Sequence, residues 1–482
     1  MNVILNYNHI FDADLTLLTK HSMAKNMQFS QIRIIMSKIL YRGVEMKKYL
    51  TKLLGIPLLA VAMIITTFPI RANAADITKN SPVLSKSSDT IKTLKSSNLH
   101  ATLESNNYPI VLVHGFMGWG RDEVAGFKYW GGTNDLQEKM RDAGYEVYTA
   151  TVGPVSSNWD RACELYAYIV GGRVDYGAAH AEKYGHARYG RMYPGLYKKI
   201  SDTNKIHLVG HSMGGQTIRT LTQLLSEGCK EERDYAQNNL SPLFKGGKHW
   251  IHSVTTIATP NNGTTAADGN PMVDFASSAF GVLASTTGSS SLTKSIFDFK
   301  LDQWGLQKKK NESNLKYVSR VLNSDIWTHT KDISSYDLTT YGSEELNKWV
   351  KAQPDVYYFS WTVCATKEAI LTGHHIPQPG VMNKMFYPNA FTMGKYTRNE
   401  AGKPVIDKSW WPNDGYVNSI SENGPKLGSN DVIIDYDGTP EKGKWNAMPT
   451  LMNMDHEDII GRFANVQGWY LNLCKQLNSL EK

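Results

Sequence analysis

Lys205-Ile206-His207-Leu208-Val209-Gly210-His211-Ser212-Met213-Gly214-Gly215-Gln216-Thr217 is the stretch that decides the fold. A short apolar run leads directly into Gly-x-Ser-x-Gly, and apolar residues then recur at Ile218, Leu221, Leu224 and Leu225. The order is strand, sharp turn, helix, with a serine at the turn. Gly210 and Gly214 keep Cβ atoms away from the crowded junction of strand and helix. The unpaired N–H groups and positive end of the helix point back at Ser212. A bare Gly-x-Ser-x-Gly also occurs in ordinary glycine-rich loops; the strand before it and the helix after it are what mark Ser212 as a candidate nucleophile.

Working outward, an upstream run Tyr108-Pro109-Ile110-Val111-Leu112-Val113 reads as a strand buried on both faces, and His114-Gly115-Phe116 follows it. Small residues there let backbone N–H groups face a ligand. The N–H groups of Phe116 and Met213 are the candidate donors to an oxygen that gains negative charge. Helices are expected over 135–143 and 159–170, and strands over 145–149, 252–258, 356–361 and 432–435. Strands alternating with helices predict an α/β fold, a mostly parallel sheet with helices on both faces. Between 171 and 197 lies a Gly-, His- and Tyr-rich insertion holding His180 and His186. The segment 271–301 is rich in Ser, Thr and Ala and weakly amphipathic.

The N-terminal part reads differently. Met46-Lys47-Lys48 opens a basic segment, an apolar stretch runs to Ile70, and Ala72-Asn73-Ala74 closes it, which is the pattern of a cleaved secretory signal over 46–74. The small-residue ending argues against a membrane anchor. Residues 1–45 then read as an extension upstream of the true start, 75–105 as a polar leader, and 106–482 as the folded domain. The formal charge of +7 belongs mostly to the first 74 residues, where nine Lys/Arg face three acids. The remainder is near neutral, so a polybasic surface for nucleic acid is not expected. No protein partner is indicated. Four widely spaced cysteines do not make a disulfide framework, and Cys163, in a helical pattern, reads as a buried thiol.

A serine needs a base to take its proton and a third group to orient that base. In this fold class the chain order is Ser, acid, His. Six histidines follow Ser212, and the last, His456, sits in Met454-Asp455-His456-Glu457-Asp458, with a helix expected from Ile459-Ile460. His456 is the candidate base. For the acid, Asp414 in Pro412-Asn413-Asp414-Gly415 lies on a turn able to aim a carboxylate inward. The residues alone leave Asp431, Asp435 and Asp455 open.

These strings together resemble the secreted true lipases of Gram-positive bacteria, of the staphylococcal and thermophilic-bacillus type. The resemblance is dense from about 109 to 461. It runs through Pro-Ile-Val-Leu-Val-His-Gly-Phe at 109–116, Phe-Lys-Tyr-Trp-Gly-Gly at 127–132, and Ser-Asn-Trp-Asp-Arg-Ala-Cys-Glu at 157–164. It continues with Val-Asp-Tyr-Gly-Ala-Ala-His at 174–180, Gly-His-Ala-Arg at 185–188, Phe-Lys-Leu-Asp-Gln-Trp-Gly-Leu at 299–306, and Asn-Asp-Gly at 413–415. It implies an α/β-hydrolase fold and a Ser212, Asp414, His456 triad that hydrolyses triacylglycerol through an acyl-enzyme. Phospholipase or soluble-ester esterase activity on the same residues is the alternative, and a non-catalytic surface-binding protein a more distant one. The resemblance also implies a structural zinc held by Asp160, His180, His186 and Asp332, although His-x5-His is no standard zinc spacing. It makes 171–197 a zinc subdomain and 271–301 a lid that opens at the oil–water interface. A calcium is implied too, with Gly380 and Asp458 matching two ligand positions; the acidic residue expected near 463 is absent, and Phe463 stands there.

Overall fold

The structure, a computed structural model, describes residues 106–482 apart from 125, 237–238 and 269–296. The segments 1–45, 46–74 and 75–105, and residues 271–296 of the expected lid, lie outside the described residues. In chain order the principal elements begin with β1 (Ile110–Val113), α1 (Leu136–Asp142), β2 (Val147–Ala150) and α2 (Asn158–Val170). Next come β3 (Gly172–Asp175), α3 (Ala178–Tyr184), β4 (Tyr189–Tyr193), β5 (Ile206–His211), α4 (Met213–Glu227) and β6 (Ile251–Ile257). The chain finishes with β7 (Tyr357–Trp361), β8 (Ile433–Asp435), β9 (Trp445–Ala447) and α5 (Gln467–Asn478).

Seven strands form one sheet in the order β8-β9-β7-β6-β5-β1-β2, and every pairing in it is parallel. The α/β expectation is met. All six residues of β5 are buried, because both faces of the sheet are covered. Val111 and Val113 pack with Leu208, Ile218, Leu221 and Leu165 on the face that carries α2 and α4. Ile110, Leu112 and Val209 point the other way, towards Leu136, Tyr470 and Leu473 of α1 and α5. Alternation along each strand thus supplies both cores. Each fully buried Val or Leu there contributes about 1.5–3 kcal/mol.

The register fixes where a site can form. Val113 pairs with Gly210, Gly210 with Thr256, and Ile257 with Trp361, so the C-terminal ends of β1, β5, β6 and β7 lie along one edge. Loops leaving those ends share the crevice above the sheet. β3 and β4 form a separate antiparallel hairpin with α3 between them, inside the 171–197 insertion.

Three readings need correction or extension. The helix expected from Ile459-Ile460 begins instead at Gln467. Both isoleucines are fully buried in a turn that Gly461 closes at φ +77°, so their apolarity reflects core packing. β9 was not anticipated, because three residues carry too little pattern. Phe297, Phe299 and Leu301, at the end of the expected lid, are buried in the main core. All four cysteines are free, and Cys163 is a buried thiol on α2. Among the described residues, no helix is long and apolar enough to cross a membrane.

Candidate active site

Ser212 joins β5 to α4 with φ 55° and ψ −134°, a conformation few L-residues adopt. The turn is held by its surroundings. Ser212 N–H donates to the Ile257 carbonyl at 2.9 Å, and Gly215 N–H to the Ser212 carbonyl at 3.0 Å. A Cβ on Gly210 would lie 2.5 Å from Gly214 backbone atoms, and one on Gly214 would lie 2.2 Å from the Val113 carbonyl oxygen. A Cβ on Gly115 would meet Ser212 Cβ at 2.5 Å. These glycines let the loop after β1 and the start of α4 touch. Met213 is the first residue of α4, so its N–H has no intrahelical acceptor. Phe116, in the loop after β1, lines the same cleft as Ser212 and His456.

That cleft spans about 550 Å³ of atom-free space, part of it open to solvent. Its walls are mostly apolar and aromatic, from Met117, Trp119, Leu338, Tyr416 and Val417. His456 Nδ1–H donates to Asp414 Oδ2 at 2.5 Å. Asp414 is fully buried, and its Oδ1 accepts the N–H groups of Tyr416 and Val417 at 2.8 and 2.6 Å. His456 N–H also donates to the Asp414 carbonyl at 3.1 Å, so the two loops are tied twice. The other candidate acids are employed elsewhere. Asp431 accepts from Ala352 N–H and Trp445 Nε1, Asp435 is exposed at the end of β8, and Asp455 accepts from Asn383 N–H at 2.8 Å.

Two residues the sequence reading gave no role bind these loops together. His211 Nε2 lies 2.9 Å from the His456 carbonyl, and its Nδ1 lies 2.7 Å from the Tyr129 hydroxyl. A carbonyl only accepts, so Nε2 carries the proton and Nδ1 accepts from Tyr129. The tyrosine oxygen in turn accepts Gly115 N–H at 2.9 Å. Burial first, then the neighbouring His456, holds the His211 pKa well below the usual histidine range, so it stays neutral. Arg462 stacks over Trp119 and Tyr129, at 4.5 and 4.7 Å, and pairs with Glu457. His211 and Tyr129 both lie within strings already singled out, but nothing in a string says which neighbours its side chains meet.

A second cluster lies outside this cleft. Asp160, His180, His186 and Asp332 bring their ligand atoms within 4.8 Å of one another. His180 Nε2 is 3.6 Å from Asp160 Oδ1 and 3.1 Å from Asp332 Oδ2, and His186 Nε2 is 3.1 Å from the same Asp332 oxygen. These four atoms are buried without a hydrogen-bond partner. Tetrahedral ligands at about 2.0–2.1 Å from a metal sit roughly 3.4 Å apart, so the set fits one ion. Burial and then the Asp332 charge push the Asp160 carboxyl well above its ordinary range, a repulsion a cation would relieve. α2 supplies Asp160, the insertion supplies both histidines, and the segment after Trp327 supplies Asp332. The two loops matched to calcium meet, but not in a comparable set. Asp458 Oδ2 accepts Asp455 N–H at 3.2 Å, Phe463 takes the place of an acid, and among the described residues only the Asp160 cluster gathers three or more such ligands. Asp455 and Asp458 adjoin there as two buried carboxyls, each raised first by burial.

A parallel sheet, a strained serine between strand and helix, and a buried acid–histidine pair at the same edge define an α/β-hydrolase. A family model described as "Lipase-like, C-terminal domain" matches residues 106–468, and the chain belongs to this lipase family, that of the Gram-positive true lipases. It is similar to a lipase of Staphylococcus hyicus, 42% identical over 368 residues, which are 74% of this chain and 54% of that protein. The chain thus spans about half the length of the curated relatives it matches. Among solved structures it resembles EstA from Clostridium botulinum, with 64% identity and a TM-score of 0.79 over 80% of this chain and 90% of that one. Lipase 1 from Pelosinus fermentans follows with 56% identity and a TM-score of 0.72, over 78% and 99%.

Proposed function

We propose that the protein is a secreted serine lipase that hydrolyses triacylglycerol esters. The observation that carries this reading is the His456–Asp414 hydrogen bond at 2.5 Å in the apolar cleft that Ser212 also lines. Ser212 Oγ attacks the ester carbonyl carbon while His456 Nε2 takes the hydroxyl proton. Asp414 holds His456 in the tautomer that leaves Nε2 free to accept it, and stabilises the imidazolium that forms. The carbonyl oxygen becomes an oxyanion and receives hydrogen bonds from Phe116 N–H and Met213 N–H, which are fixed in advance and need no reorganisation. As the C–O bond breaks, His456 returns the proton to the leaving glycerol oxygen. A water then enters, gives its proton to His456 and attacks the acyl-enzyme; the same proton goes back to Ser212 as the fatty acid leaves.

Asp160, His180, His186 and Asp332 would hold a zinc ion. A closed two-imidazole, two-carboxylate set supplies folding energy and leaves no position for substrate. Residues 271–296 of the 271–301 segment would cover the cleft in water and open at an oil surface, with Phe297, Phe299 and Leu301 held in the core. The signal pattern at 46–74 supports export.

Hydrolysis of short- and long-chain triacylglycerols, below and above their solubility limit, tests the reading on protein beginning at Ala75. A rate that jumps when an emulsion forms, and is abolished by Ser212→Ala with the unfolding temperature unchanged, is the expected result. Saturation on dissolved esters with no jump would identify an esterase instead. Turnover by Ser212→Ala would refute the serine mechanism.

A further inference from the structure

Asp414 has a second carboxyl group beside it. Glu422 ends the short helix Ser419–Glu422, which follows directly on the turn that carries Asp414. Its side chain is fully buried. Oε2 accepts Val363 N–H at 2.7 Å, and Ser419 Oγ donates to the Val363 carbonyl at 2.9 Å, so the helix is pinned to the short strand Val363–Cys364 beyond β7. Oε1 is buried and accepts from no donor, while the carboxyl lies within hydrogen-bonding reach of Asp414.

Two adjoining buried carboxyl groups cannot both be ionised without a cation. The titratable groups that bear most on Glu422 are Asp414 and the Cys364 thiol, neither of which supplies positive charge, and the nearby imidazole of His456 directs its Nδ1–H to Asp414. The proton must therefore sit on one of the two acids. Asp414 already accepts three hydrogen bonds, from His456 Nδ1, Tyr416 N and Val417 N, which favour its anion. Glu422 accepts one. Burial and then the Asp414 charge hold the Glu422 carboxyl well above the usual range.

We propose that Glu422 is a positioning residue of the triad, a neutral carboxylic acid whose Oε1–H donates to Asp414 and keeps that carboxylate aimed at His456 Nδ1. This rests on the Ser212–His456–Asp414 reading. The Asp414 carboxylate then has a fourth donor. Its pull on the His456 imidazolium is reduced, and the base stays unprotonated to lower pH.

The experiment is the pH dependence of kcat/KM on a dissolved short-chain ester, for the wild type, Glu422→Gln and Glu422→Leu. The amide of Glu422→Gln can still donate to Asp414 and accept from Val363 N–H, so rate and acid limb should stay within about threefold and 0.3 pH unit. Glu422→Leu removes the donor, and the acid limb should move up by about half a unit or more, with a lower rate. A limb that moves down in Glu422→Gln would mean that the wild-type Glu422 is charged, and would overturn the proposal. A lower rate in Glu422→Leu with an unmoved limb would also overturn it, since that is a purely structural role. If Glu422→Leu fails to fold, infrared difference spectra at mildly alkaline pH decide. The wild type should show the C=O stretch of a protonated carboxylic acid that Glu422→Gln lacks, and its absence refutes the neutral acid. That band does not depend on turnover, so it separates failure of this proposal from failure of the triad, which turnover by Ser212→Ala would reveal.

Discussion

Replacing Asp414 by Asn changes one atom type and almost no volume, yet it should nearly abolish turnover. Oδ1 of Asp414 accepts two backbone N–H groups, from Tyr416 at 2.8 Å and Val417 at 2.6 Å. Oδ2 accepts His456 Nδ1–H at 2.5 Å. An asparagine has one oxygen for these two places. With the amide NH2 turned towards Tyr416 and Val417, donors would face donors, and two buried N–H groups would lose their partner at about 1–3 kcal/mol each. The oxygen therefore stays on the backbone groups and the NH2 faces His456 Nδ1. That nitrogen must then accept, so the proton moves to Nε2, where the proton from Ser212 has to arrive. A base locked in the wrong tautomer loses about four orders of magnitude in rate, or about 5 kcal/mol of transition-state stabilisation. The assay is kcat/KM on a dissolved short-chain ester, beside the thermal unfolding midpoint. A loss below about a hundredfold in a protein of unaltered stability would refute the tautomer argument and reopen Asp431 and Asp455 as the acid.

Other consequences follow from the packing and from the metal-ligand cluster. Gly214→Ala would place a Cβ 2.2 Å from the Val113 carbonyl oxygen, forcing β1 and α4 apart. A cost of about 1–3 kcal/mol should appear as a lower unfolding midpoint, and displacement of Met213 N–H should lower kcat on a dissolved ester by about a hundredfold. On the proposed zinc reading, His186→Ala should abolish zinc binding, measured by atomic emission, and leave two buried carboxylates without a cation. A loss of about 3–5 kcal/mol should then appear in denaturant unfolding, matched by exhaustive chelation of the wild type. Because the cluster lies outside the cleft, kcat on a dissolved ester should hold for whatever fraction stays folded.

Local features were legible in the sequence and long-range ones were not. The strand, turn and helix around Ser212 are encoded within twenty residues, so pattern and glycine spacing suffice. The acid is different. Asp414, Asp431, Asp435 and Asp455 all lie on polar turns, and what separates them is which turn opens into the cleft, a fact of tertiary packing. The metal-ligand cluster came from resemblance, since residues 160, 180, 186 and 332 have no local spacing that marks a metal site. Ile459 and Ile460 misled because an apolar pair in a buried turn looks like the start of an amphipathic helix. Glu422 carried no signal, because an acid at the end of a four-residue helix looks like a solvated surface group.

His211 shows why such residues still matter to the chemistry. The loop after β1, the turn at Ser212 and the loop carrying His456 are distant in sequence, and each alone is free to shift. One neutral imidazole spans all three, through Tyr129 to Gly115 on one side and to the His456 carbonyl on the other. The chain of donors and acceptors runs in only one direction, because it begins at a carbonyl and ends at a backbone N–H. A protonated His211 would turn Nδ1 into a donor, so the Tyr129 hydroxyl would lose the acceptor that Nδ1 now provides. Burial suppresses that protonation. The residue before Ser212 thus couples the loop after β1 to the loop carrying His456 through a bond pattern that its neutral form makes.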